Sequence, residues 1–256
     1  MPLETTDFCV IAAVSDDRVF DACLARSPDV SSGRVPVVVE RGATSMARGY
    51  NAALARTDAR ICLLAHQDVY LPAGWLERAT AVLGALDEQH PEWLVAGPHG
   101  VDFDGHQAGR TFDVAMGQEL GEAGFAPTAV ASLDEHLLIL SRSSAYRFDE
   151  GLPGFHLYGT DLVQTAWTTG RSAWAVELPV VHNNRPVGSL AGGYSRAYAY
   201  ARRKWRARLP IPTTICPLTR NPLPLWRARW RAGRSPERPP HMPVDSAAVA
   251  RLAGYE

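Results

Sequence analysis

Residues 62–75 read CLLAHQDVYLPAGW, an apolar run that breaks into His66-Gln67-Asp68 and resumes as Val69-Tyr70-Leu71 before a proline. Cys62 to Ala65 hold no polar side chain, as expected of a strand covered on both faces. His66 and Asp68 are two residues apart, so an extended backbone puts them on the same side. A carboxylate at the end of a core strand is costly unless a partner or a cation neutralises it. Either a partner covers Asp68, or the strand end opens into a site.

The sequence on either side alternates strands and helices. FCVIAAV (8–14) and VPVVVE (35–40) are apolar strands, and DRVFDACLAR (17–26) has helical spacing. TSMARGYNAALAR (44–56) begins with capping residues Thr44 and Ser45, then carries Met46, Tyr50 and Leu54 at i, i+4 and i+8. GWLERATAVLGALDEQ (74–89) reads as the next helix and EWLVAGPHG (92–100) as the next strand. Such alternation predicts an α/β fold, a mainly parallel sheet flanked by helices. In such sheets ligands bind outside the carboxyl ends of the strands, where His66 and Asp68 stand.

Further along, residues 101–124 are Gly-rich and polar and read as a loop or small hairpin insert, and HLLILSR (136–142) resumes a strand. A helix is expected from about Asp161 to Gly170, then one strand, SAWAVELPVVH (172–182), ending at His182. The βα pattern fades near Cys216. The expected organisation is one domain over 1–216 and a Pro-, Arg- and Trp-rich carboxyl-terminal extension over 217–256.

Composition narrows the classes. The hydrophobic fraction is 46% and the formal net charge −1, so overall charge points to neither nucleic acid nor membrane. No apolar run reaches the about 20 residues that cross a bilayer. The start, MPLETTDFCVIAAVSDD, is acidic and turns directly into a strand, and Cys9, Cys23, Cys62 and Cys216 form no CxxC pair. A reduced cytoplasmic protein is the expectation.

Strand-end chemistry recurs. His66 and Asp68 end one strand, His182 ends another, and Asp161 opens the helix between them. If the strands share a sheet, a divalent cation held by Asp68 and His182, with phosphate oxygens in its open positions, is ordinary chemistry for Mn²⁺ or Mg²⁺. The same residues also have plainer readings: a hydrogen-bonded histidine at a strand end, and a helix-start acid stabilised by the macrodipole.

The segments ARGYNAALARTDARICLLAHQDVYLPAGWLE, LDEHLLILSRS, RFDEGLPGFHLYGTDL and LPVVHNN, in that order, resemble the family-2-like bacterial glycosyltransferases of the GT-A (Rossmann-like) fold, with H-x-D in place of D-x-D. The resemblance runs from about Phe8 to Pro210. It implies that Asp68 bridges a cation to the diphosphate of a nucleotide sugar and that His182 completes the metal shell. His66 then lies near the ribose or the metal, and Asp161 is the general base of an inverting transfer. Ala12 to Val14 would frame the nucleobase, and Arg48 and Asn51 would form a polar pair on the helix before the metal strand. Asp134 and Glu135 would stand beside the donor sugar or acceptor. The family's Asp-Asp pair after the second strand is replaced by VVVERGATS, where only Glu40 is in reach, so the donor stays open among UDP-, GDP- and dTDP-sugars.

His156 and Tyr158, in GFHLYG, suit an acceptor-side loop, because imidazole and aromatic faces fit sugar surfaces. Arg202 to Lys204 are expected to close over a diphosphate. Trp226 to Arg231 offer peripheral membrane contact or plain packing. A nucleotidyltransferase of related fold is the alternative enzyme, although AAVSDDRVF lacks the Gly-rich loop that such enzymes place after the first strand; a catalytically silent nucleotide-sugar-binding module is the alternative from another class.

Overall fold

The structure, a computed structural model, describes residues 2–142, 146–186, 189–190, 192–232 and 241–256. From the amino end, β1 (Phe8–Val14) leads through α1 (Asp17–Ala22) and the one-turn α2 (Pro28–Ser31) to β2 (Val37–Arg41), α3 (Met46–Leu54) and β3 (Ile61–His66). The HQD turn passes into β4 (Val69–Tyr70), and α4 (Trp75–Gln89) carries the chain to β5 (Trp93–Gly97). Next come β6 (His99–Val101), β7 (Gln107–Asp113) and β8 (Gln118–Gly121), then the short β9 (Thr128–Ala129) and β10 (Ser132–Leu133). β11 (Leu137–Ser141), α5 (Tyr158–Thr168), β12 (Ser172–Ala175) and β13 (Val181–His182) follow, and then α6 (Gly193–Lys204), α7 (Leu223–Ala232) and α8 (Ser246–Leu252).

The main sheet has the order β2-β1-β3-β11-β5-β12-β9. β2, β1, β3, β5 and β12 all run the same way, while β11 and β9 run against them. The expected mainly parallel α/β sheet is therefore present. Its two faces follow from the period of two in the strands. Cys9, Ile11, Cys62 and Leu64 pack with α3, α5 and α6 on one face. Phe8, Val10, Ile61 and Leu63 pack with α4 on the other. All four cysteines are free and buried, as small core residues. A second sheet, β10-β6-β7-β13-β4 with β8 beside β7, contains the expected hairpin insert.

This topology gathers the site. Because β11 is antiparallel to β3, with Leu137 opposite Ala65, residues 134–136 arrive at the sheet edge where His66 leaves. β4 pairs with β13, with Val69 opposite His182, so the residue after β3 and the end of β13 meet in the second sheet.

Two expectations are corrected. The single strand over 172–182 is two strands in two sheets; Pro179 lies between them and has no N–H to continue a ladder. α5 starts at Tyr158, three residues before Asp161. Its early N–H at Gly159 is capped by Glu135 from another part of the chain, at 2.9 Å, a partner that the local sequence does not show. Residues after Cys216, the expected extension, also pack on the folded core. Leu218 is fully buried and pairs with Ile211, and Ala250 and Tyr255 pack with Tyr70 and Val181. The Asn183 side chain bonds Val244 O and Ser246 Oγ, at 2.8 and 2.7 Å. Removing the residues after Cys216 is therefore expected to destabilise the protein. Tyr255→Ala alone should cost about 3 kcal/mol, read by urea unfolding; an unchanged midpoint would restore the extension to a dispensable tail. α7, in contrast, has no buried residue and leaves Trp226 63% exposed.

Candidate functional site

Two cavities open at the carboxyl edge of the main sheet and share His66, Phe155 and His156 in their walls. One, of ≈ 660 Å³, is floored by the end of β1 and the residues after β2, with Gln67 and Asp68 on its side. The other, of ≈ 520 Å³, is walled by His99, Asp134, Glu135, His182 and Thr160. His66 sits where they meet.

At that junction, ligand atoms of His66, Asp68 and His182 all lie within 4.8 Å of one another. Asp68 Oδ1 is 3.5 Å from His182 Nε2, yet it is buried and makes no hydrogen bond. A buried carboxylate oxygen left over in this way, between two imidazoles, fits a cation. Burial would raise the Asp68 carboxyl, but His182 outweighs it and holds the carboxyl below its ordinary value. Burial would lower His182, and Asp68 reverses that and raises it. His66 is pushed down by burial to about 4 and is therefore neutral at neutral pH, with a lone pair to offer.

A second layer stands behind these residues. His136, which the sequence reading passed over, is 1% exposed and stacks on His182 with ring centroids 4.9 Å apart. Its Nδ1 is 2.8 Å from Asp134 Oδ1. Against burial, His136 keeps the Asp134 carboxyl well below its usual range. His99, also passed over, accepts the Asp134 backbone N–H on its carbonyl, at 2.9 Å. The alternation of LDEHLLILS was the available signal for His136, since a histidine that opens a fully apolar strand must be buried and bonded.

Glu135 and Asp161 part company here. Glu135 faces the smaller cavity, and burial raises its carboxyl to about 8, although the Gly159 N–H bond opposes this. The approach at Gly159 is close: a Cβ there would lie 3.0 Å from Glu135 Cγ and 3.1 Å from Leu133 O, so a side chain would push on Glu135. Leu157, just before, holds a left-handed φ of 64°, a conformation that costs a non-glycine residue on the order of 1–3 kcal/mol and is typical of functional sites. Asp161, the expected base, is not brought to either cavity. It is 2% exposed, and Lys204 Nζ and Trp205 Nε1 both donate to its carboxylate at 2.8 Å. Asp161→Ala should thus act on stability, by about 3 kcal/mol, somewhat eased because Lys204 keeps Asp149 at 2.7 Å. Unfolding and steady-state rates measured on the same variant check this. A folded variant with a hundredfold rate loss would return Asp161 to the mechanism.

Other expected site residues also do structural work. Asn51 exchanges hydrogen bonds with the Phe148 backbone, at 3.0 and 2.8 Å, and Arg48 pairs with Glu150 at 3.3 Å. They pin the loop before α5 and do not line the larger cavity. Ala13 and Val14 line that cavity, whereas Ala12 is fully buried in the core. Glu40 lies at its edge but is paired with Arg56 at 2.7 Å. His156 lines both cavities; Tyr158 is 1% exposed and lines neither. Lys204 is spent on Asp149 and Asp161, and Arg203 lies over the Tyr200 ring, so Arg202 to Lys204 do not close over the larger cavity.

Residues 9–78 match a family model described as "Glycosyltransferase like family". Over that span the chain is glycosyltransferase-like. The span runs from β1 through the HQD turn into α4, and so holds most of the wall of the larger cavity, Phe155 and His156 excepted. A Fuscovulum blasticum protein named "ATP synthase subunits region ORF 6" is 33% identical over 140 residues, which are 52% of this chain and 55% of that protein. The chain thus spans about half the length of the curated relative it matches. Among solved structures, GalNAc-T7 with UDP, GalNAc and Mn²⁺ is similar with a TM-score of 0.47 and 12% identity, covering 88% of this chain and 54% of that one. The mannosyltransferase PcManGT from Pyrobaculum calidifontis, with GDP-Man and Mn²⁺, gives 0.45 and 12%, covering 98% and 71%. The inositol-1-phosphate CTP transferase from T. maritima gives 0.38 and 9%, covering 77% and 97%. Among the described residues, no helix is long and apolar enough to cross a membrane.

Proposed function

We propose that the chain is a glycosyltransferase that moves a sugar from a nucleotide diphosphate donor to an acceptor hydroxyl, with inversion and with a divalent cation. The observation that carries this is the meeting of two cavities at Asp68 and His182, beside a buried, unbonded carboxylate oxygen. The larger cavity suits the nucleotide and the smaller one the sugar and acceptor, so the glycosidic phosphate bond falls at the junction. Asp68 and His182 would hold the cation, which when bound supplies Lewis-acid stabilisation of the leaving diphosphate.

This chain's residues do the rest. Ala13 and Val14 give the nucleobase an apolar floor, and His156 separates the two chambers. Glu135 takes the acceptor proton on the side of the smaller cavity. Its raised carboxyl is tuned to that task, because a general base works best with a pKa near the operating pH. Asp134 and His136 hold the wall behind His182. Attack by the acceptor oxygen with Glu135 as base, and departure of the diphosphate from the opposite face, is a single displacement and inverts the anomeric carbon.

The test is incubation of the protein with UDP-, GDP- and dTDP-sugars in Mn²⁺, with thermal shift for binding and product analysis for chemistry. A ligand at 100 times its Kd stabilises by about 2.7 kcal/mol. Release of a nucleoside diphosphate supports sugar transfer. Pyrophosphate produced from a nucleoside triphosphate would mean nucleotidyl transfer, and binding without turnover of any donor would leave a binding module.

A further inference from the structure

α7 is held to the domain by one side only. Leu225, Ala228 and Ala232, at i, i+3 and i+7, pack against the core. Leu223, Trp226 and Trp230 repeat that spacing two residues earlier, which at 3.6 residues per turn is the opposite side of the helix. All three are exposed, Trp230 by 54%, and of the seven tryptophans only Trp226 and Trp230 are exposed. The same spacing sets Arg227 and Arg231 on one flank of this outer row and Arg229 on the other. Among the described residues none of these three arginines has a carboxylate partner. The positive charge is local: residues 178–236 contain twelve arginines and lysines and no aspartate or glutamate, in a chain of formal net charge −1. Single exposed apolar residues are ordinary on a protein surface, whereas a Leu-Trp-Trp row framed by cations marks an interaction face. Sugar transfer has no use for it, since no residue of α7 lines either cavity at the sheet edge.

We propose that α7 docks the protein on an anionic phospholipid surface, with Leu223, Trp226 and Trp230 in the headgroup boundary and Arg227, Arg229 and Arg231 against the lipid phosphates. Charge complementarity selects this occupant. An arginine fork matches phosphate oxygens, and each basic residue close to an anionic bilayer strengthens binding about fivefold. Tryptophan, with an apolar ring and one N–H, settles at the headgroup level. At 10 residues α7 is about 15 Å long, half of the hydrocarbon thickness, so it lies in the plane of the surface and does not cross. Duplex nucleic acid would use the cations and leave the apolar row in water, and a second copy seated on the same face would set arginines against arginines. Docking goes beyond the sugar-transfer reading and stands or falls independently of it.

The experiment mixes the full chain with vesicles of phosphatidylcholine alone and of equal parts phosphatidylcholine and phosphatidylglycerol, and reads flotation and tryptophan emission. The wild type should bind the mixed vesicles on the order of a hundredfold more strongly than the neutral ones, as three cations at about fivefold each predict, and added salt should weaken it. Emission should shift to the blue and be quenched by lipids brominated near the headgroup, because the two exposed tryptophans leave water. Trp226→Ala should remove most of the shift and weaken binding about tenfold. Arg227→Gln with Arg231→Gln should weaken it about 25-fold while the helix is kept, glutamine being as good a helix former as arginine. Circular dichroism checks the fold, and thermal shift with nucleotide sugars should match the wild type in each variant. Equal binding to both kinds of vesicle, binding to neither, or binding to mixed vesicles that Trp226→Ala leaves unchanged would overturn the proposal. So would a wild-type dimer that Trp226→Ala dissociates, or binding to a DNA duplex as strong as to the mixed vesicles. Each of these outcomes leaves the sugar-transfer reading untouched, since that reading fails only on loss of donor binding or turnover.

Discussion

Asp68→Asn should fold and yet lose turnover on the order of 10³-fold in Mn²⁺, about 4 kcal/mol of transition-state stabilisation. Asp68 is the only carboxylate in the cluster with His66 and His182, so its charge has no local substitute. Its backbone carbonyl keeps the bond to Asn183 N–H at 2.8 Å, and the pairing of β4 with β13 does not depend on the side chain. Nucleotide affinity in Mn²⁺ should fall with turnover, because the proposed cation would join protein and diphosphate. Calorimetry with and without Mn²⁺ separates the outcomes: affinity equal to wild type in Mn²⁺ would mean that Asp68 holds no cation. The fold is monitored by circular dichroism. Loss of the Asp68–His182 contact should appear as reduced stability of the metal-free protein at mildly acidic pH. A depressed carboxyl contributes above its unfolded pKa, and a raised imidazole contributes below its folded one.

Glu135→Gln should lose roughly 10²–10⁴-fold in turnover, the range for removal of a general base, with little change in nucleotide affinity. Glutamine keeps an oxygen for the Gly159 N–H, so α5 retains its cap. In the wild type the rate should rise as pH increases toward the raised carboxyl value of about 8, and that limb should vanish in the variant. Stability moves in the opposite sense. A carboxyl raised in the folded state binds more protons there than in the unfolded chain, so its contribution is full at low pH. That contribution falls as pH rises from the ordinary carboxyl range to about 8. Glu135→Gln should therefore gain on the wild type in stability across that interval. Normal turnover in a folded variant, or a rate loss matched by an equal loss of nucleotide binding, would exclude Glu135 as base.

Much of this was legible in residue order. The continuous apolar runs at Phe8–Val14 and Ile61–Ala65 could be satisfied only by a sheet covered on both faces, and the change to His-Gln-Asp marked where that cover ends. Both are local properties of a strand. The association of Asp68 with His182 was readable as a possibility, but it required β4 to pair with β13, strands separated by 110 residues of chain (residues 71–180). Asp161 shows the opposite case. Its place in a helix was visible in YGTDL, and its role was not, because Lys204 and Trp205 come from the end of α6 and consume both of its oxygens. Sequence alone thus determined which strands are buried and which strand end is polar, since these follow from side-chain period and the cost of burying charge. Tertiary structure alone decided which acid lines a cavity and which is held by buried partners. A carboxylate's chemistry depends on its burial and its partners, and for Glu135 and Asp161 those partners lie 24 and 43 positions away in the chain, at Gly159 and Lys204.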